Sequence, residues 1–165
     1  MFTLQSLTNV FSVIGVSAAL VVYVVNSMQQ RKNLIIQNIE HYHKLHSQAF
    51  SADSYAILNV AAMEKGEYKR DLSDKAMELK FNRFLADMEW LALYQSTGAV
   101  PSSINAYMVG YFAMHIFPEL TDREKAEPHW ALAVEFLKET AKQAKKMREF
   151  STEELLTYIK TNHFK

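Results

Sequence analysis

The sequence predicts an all-α protein: an N-terminal transmembrane helix that continues into a cytoplasmic helical bundle of about five helices. Three observations lead there. Only four glycines and three prolines interrupt the 165 residues, and good helix formers dominate the rest. No charged side chain precedes Arg31, and an apolar run of nineteen residues, Leu7 to Val25, lies inside that uncharged stretch. Beyond it, apolar residues recur at i, i+3 and i+4 between readable caps and breakers.

The first element is the run "LTNVFSVIGVSAALVVYVV". At about 1.5 Å of rise per residue it reaches roughly 28 Å, close to the hydrocarbon thickness of a bilayer. The hydroxyls of Thr8, Ser12 and Ser17 can bond back to their own helix carbonyls. Tyr23 and Asn26 stand where an interfacial aromatic and a polar end are expected. A cleaved signal peptide would need a basic n-region, a shorter apolar core and a small-x-small cleavage site, and a buried soluble helix would need a polar face. The run is therefore read as a retained span over residues 7–26, with residues 1–6 as a short external N-terminus. Arg31 and Lys32 follow the span directly, so the positive-inside rule places residues 31–165 in the cytoplasm. Thr8, Ser12, Gly15, Ala19, Val22 and Asn26 fall on one stripe. Within it, Gly15 and Ala19 form a small-xxx-small pair that suits self-association or packing on a partner helix.

Residues 27–50 read as a juxtamembrane helix. Ile35, Ile39, Tyr42, His46 and Ala49 repeat at alternating intervals of four and three, the seam of a packed helix or short coiled coil. Three of the six histidines, His41, His43 and His46, lie here. Glu40-x-x-His43 has the spacing used in di-iron bundles, but no second copy exists and His-Glu-x-x-His is absent, so no metal is expected. Protonated at low pH, these histidines would favour an anionic membrane surface.

Residues 51–165 read as the bundle. A short helix over about 52–65 has Ser51 or Asp53 as its cap, Ile57, Leu58, Val60 and Ala61 toward the core, and Gly66 as its stop. The charged stretch "KGEYKRDLSDK" reads as solvated surface. The strongest amphipathic helix spans about 74–97, with Ser73 as cap, Gly98 as stop and Met77, Phe81, Phe84, Leu85, Met88, Leu91 and Ala92 inward. A nearly all-round apolar helix over about 102–117 follows, capped by Ser102 or Ser103 and broken by Pro118. It is read as the central helix, or as one offering a second face to a partner. Thr121-x-x-Glu124 and Ser151-x-x-Glu154 are capping boxes. Between them a helix over about 128–149 places Trp130, Leu132, Ala133, Phe136, Leu137 and Ala141 inward.

Chemistry is sparsely marked. The formal net charge is zero, and with no cysteine the chain has no disulfide framework, thiolate metal site or cysteine nucleophile. Neither a glycine-rich phosphate loop nor a Gly-x-Ser-x-Gly motif occurs. His115, His129, Asp87, Glu89 and Tyr111 are the polar residues that would have to meet for catalysis; no enzyme and no cofactor is expected. Lys138, Lys142 and Lys145 share one helix face, with Lys146 and Arg148 nearby. The stripe reads as a solvated helix end favoured by the macrodipole, or as a contact for anionic lipid together with Arg31 and Lys32. Nucleic acid is disfavoured because no aromatics interleave the lysines.

Phe84-Leu85, Glu89, Leu91-Ala92, Gly98 and the aromatic-rich Tyr107–Phe117 resemble the middle of an uncharacterised bacterial family of small single-span membrane proteins with a helical cytoplasmic domain. The resemblance implies a single-pass protein of the bacterial inner membrane and no particular activity. Two functions are expected. The first is a membrane-anchored, non-enzymatic interaction module, an adaptor or accessory subunit that self-associates or packs on a membrane-protein partner. The second is a ligand-gated membrane effector whose cytosolic domain senses a signal and whose span oligomerises.

Overall fold

The computed structural model describes residues 4–163, with side chains for residues 19–161. The fold is all-α: the described residues form eight α-helices and two single-turn 3-10 helices, with no strand among them. The chain divides into two compact units, Met1–Glu40 and His41–Lys165.

The first unit consists of the N-terminal part of α1 (Leu4–Ala49). Its described side chains are open, Val21, Tyr23, Ile35 and Ile39 among them. Among the described residues no helix is long and apolar enough to cross a membrane. Most of the Leu7–Val25 run lies outside the residues whose side chains are described, as do Thr8, Ser12 and Gly15 of the small-residue stripe; Ala19 is exposed.

In the second unit the last turns of α1 run antiparallel to α3 (Lys75–Ser96). His41 stacks on Tyr94 with ring centroids 5.0 Å apart, and seven residues later Gln48 Nε2 donates to Asp87 Oδ1 at 2.7 Å. Here the seam read from sequence is a packing surface: Tyr42 and Ala49 are buried and His46 half-buried.

α2 (Tyr55–Glu64) is capped by Ser54, whose Oγ accepts from Ile57 N, rather than by Ser51 or Asp53. Ser51 instead donates its hydroxyl to the Asp53 carboxylate. The buried face of α2 is Tyr55, Ala56 and Asn59; of the four residues expected inside, Ile57, Leu58 and Ala61 are exposed and Val60 is half-buried. The reason is the ring of Tyr55, which packs edge-on against Phe81 at 4.7 Å and donates or accepts a hydroxyl bond with Tyr68. Asn59 joins it inside because its amide donates to the Tyr55 carbonyl. Gly66 ends α2 as expected. Its φ of 69° closes a Schellman motif in which Gly66 N donates to Met63 O and Glu67 N to Ala62 O.

α3 starts one residue later than its expected cap. Asp74 accepts from Ala76 N and Met77 N, while Ser73 bonds the Asp71 carboxylate. Phe81, Phe84, Leu85, Met88 and Leu91 of α3 form the heart of the core, and Gly98 (φ 74°) ends the helix.

The helix expected over 102–117 is two helices, α4 (Ser102–Met108) and α5 (Gly110–Ile116), with Val109 at the break. No serine hydroxyl caps α4; Pro101 occupies the cap position. The break lets Gly110 press on Ala144 of α7 (Ala131–Met147) so closely that a Cβ on Gly110 would overlap the alanine methyl. A 3-10 turn at Phe117–Glu119 leads to α6 (Asp122–Ala126), where the capping box of Thr121 and Glu124 is complete. A second turn, Pro128–Trp130, precedes α7, which buries Ala133, Phe136, Leu137 and Ala141 but leaves Leu132 49 % exposed. α8 (Thr152–His163) begins with the expected reciprocal bonds of Ser151 and Glu154 and packs through half-buried residues such as Leu155.

Candidate functional site

The stretch read as solvated surface supplies the most elaborate polar contact of the bundle. Arg70 lies in the loop between α2 and α3, yet only 5 % of its side chain is exposed. Its Nε and Nη2 donate to the two oxygens of Glu78 at 2.7 and 2.6 Å. Nη1 and Nη2 donate to those of Glu124 at 2.8 and 2.7 Å, and Nη1 also reaches the Glu119 carbonyl at 3.4 Å. All five N–H groups are thereby used. The guanidinium lies 3.6 Å from the centre of the Phe81 ring. Burial opposes its charge, but the two carboxylates outweigh that and hold it firmly protonated. Burial likewise pushes the Glu124 carboxyl up; Arg70 and the Thr121 cap together bring it below the ordinary carboxylate range. The clamp joins loop, α3 and α6 across 54 residues of sequence, a pairing for which local patterning gives no signal.

At the junction of α1 with the bundle, His46 packs between Tyr42 and Phe50, with ring centroids at 6.1 and 4.7 Å. A ring N–H of His46 donates to the backbone carbonyl of Met108, the last residue of α4. Nε2 is buried without a partner, so the donor is Nδ1. Phe50 continues the aromatic contacts to Phe112 at 4.4 Å and Phe84 at 5.9 Å. His41 and His43 are exposed, so the three histidines do not converge. Among the described residues no group of three His, Asp or Glu side chains is placed to hold a metal ion.

The polar residues named for catalysis are distributed over separate places. Asp87 is 8 % exposed and engaged by Gln48, and burial raises its carboxyl above the usual range despite that bond and the nearby Arg83. Tyr111 meets His115 edge-on at 5.0 Å, with its hydroxyl on the Glu64 side chain. His129 stands beside Glu127 and Trp130.

Two surfaces remain. On α7, Lys138 pairs with Glu135 at 3.2 Å and Lys142 with Glu139 at 3.7 Å, which engages two of the three lysines of the basic stripe; Lys145, Lys146 and Arg148 are exposed at the helix end. Arg31 and Lys32 are exposed on α1. On α3, Leu79, Trp90 and Leu93 lie opposite the core face and are 71, 60 and 43 % exposed. Trp90 and Leu93 thus stand close together outside the apolar pattern that predicts the inner face. Comparison with family models, with curated proteins and with solved structures finds no match for this chain.

Proposed function

We propose that the protein is a membrane-anchored helical interaction module, an adaptor or accessory subunit rather than an enzyme, and that it is related to the single-span bacterial family it resembles. Leu7–Val25 is its span, its N-terminus is outside, and residues 31–165 act in the cytoplasm. The observation that carries the reading is the set of large apolar side chains on α3 that face away from the core. Leu79, Trp90 and Leu93 leave large apolar surface in water on a helix whose other side already fills a core, and rigid aromatics in such positions are typical anchors of protein interfaces. The apolar, uncharged run before Arg31 supports the anchor.

The test uses the full-length chain in its own membranes. It should resist extraction at alkaline pH, and protease added to the cytoplasmic side should remove the bundle. A Trp90→Lys/Leu93→Lys variant should keep its Tm within about 2 °C, because exposed substitutions cost little, yet lose the polypeptide that purifies with the wild type. A protein washed off at alkaline pH contradicts the anchor. A partner retained by the variant contradicts the assignment of the face.

A further inference from the structure

We propose that His46 is a pH-sensitive latch: protonation of its ring releases residues 41–50 at the end of α1 from α4 and α3.

The geometry suits only the neutral imidazole. Nδ1–H satisfies the Met108 carbonyl, one of the last carbonyls of α4, which have no acceptor role left within that helix. Nε2 is left as a buried acceptor with no donor against it. A second proton would turn Nε2 into a buried donor and place a positive charge beside the rings of Tyr42 and Phe50. An uncompensated charge of that kind is costly. The cheaper course is for the ring to reach water, and on a helix terminus this means peeling the last turns away.

Among the described residues no carboxylate acts on the ring, whose polar influences are the Met108 carbonyl and His43. On α1 the titratable neighbours are Tyr42, buried and with its own hydroxyl unpartnered, and His43, whose charge opposes that of His46. The buried carboxylate of α3, Asp87, accepts from Gln48 instead and does not act on the ring. The titratable groups of α5, Tyr111 and His115, pair with each other edge-on rather than with His46. Burial, with His43 adding to it, outweighs the Met108 carbonyl and keeps the His46 ring below its ordinary value of 6.5. The sign follows. A depressed histidine favours the docked state above about pH 6.5 and withdraws that support as pH falls below it, tenfold in the docking equilibrium per unit of depression. Release would uncover Phe50 and Phe112, which face each other at 4.4 Å in the closed junction.

The experiment takes the full chain, with ¹³C-labelled histidine, in a mild detergent. NMR follows the His46 ring through pH 8 to 5, and hydrogen exchange, corrected for intrinsic rate, follows residues 41–50 at pH 7.5 and 5.0. His46 should titrate below 6.5, and the opening of 41–50 should rise about tenfold or more on acidification. The rise should persist in His43→Gln and vanish in His46→Gln. Titration of His46 at or above 6.5 would overturn the latch, as would an undiminished acid response in His46→Gln. Should His46→Gln not fold, the wild-type titration and the His43→Gln exchange decide alone.

Discussion

Replacing Arg70 by methionine is the severest single test of how the bundle is held. The side chain contributes five hydrogen bonds, four of them to carboxylates, and rests on Phe81. Methionine keeps the apolar contact but leaves Glu78 and Glu124, only 20 and 16 % exposed, as two like charges facing the space the guanidinium filled. Removing one member of a buried ionic cluster costs about 3–5 kcal/mol, which for a chain of this size lowers Tm by about 10 °C or more. The pH dependence has a definite sign. Glu124 is held below the ordinary 4.5, so its pairing stabilises the wild type fully above that pH and is lost as pH falls through the lowered value. The gap between wild type and Arg70→Met should therefore be full near pH 7 and close only as pH falls below 4.5, where Glu124 takes up its proton. Far-UV circular dichroism melts of both proteins in the same detergent, at pH 7 and at about pH 3, measure it. A loss below about 1 kcal/mol at pH 7, the scale of an exposed ion pair, would refute the clamp.

Gly110→Ala should lower stability by about 1–3 kcal/mol through overpacking against Ala144, and Ala144→Gly should recover part of that loss; thermal melts of the single and double variants check it. Asp74→Ala should cost about 1 kcal/mol as the loss of the α3 cap, whereas Ser73→Ala, outside the helix, should cost less than half as much in the same melts. Gly66→Ala should cost about 1 kcal/mol from its left-handed backbone alone, since nothing crowds that position, and D-alanine introduced by semisynthesis should restore it.

What the sequence revealed and what it hid divide by range. Gly66, Gly98 and the Thr121 and Ser151 capping boxes act through neighbours a few residues away, and each does what local chemistry dictates. The inner face of α3 was legible because five large apolar residues recur over several turns. α2 is too short for its pattern to decide orientation: Ile57 and Leu58 are more apolar than Asn59, but Tyr55 finds Phe81 and turns the helix. The break at Val109 sits where Gly110 meets Ala144 of α7, 34 residues on, and Arg70 meets a glutamate 54 residues away. Neither leaves a local trace. His46 was placed correctly on the seam, but its bond to Met108 depends on that same unforeseen break.

On this proposal the protein works by holding another polypeptide at the membrane. Native mass spectrometry of the full-length chain, released gently from its own membranes, tests it most directly. The account predicts a complex in which this chain is present in fixed stoichiometry with a second polypeptide. A discrete homo-oligomer carrying added small-molecule mass would contradict it in favour of a ligand-gated effector, and a bare monomer would contradict both.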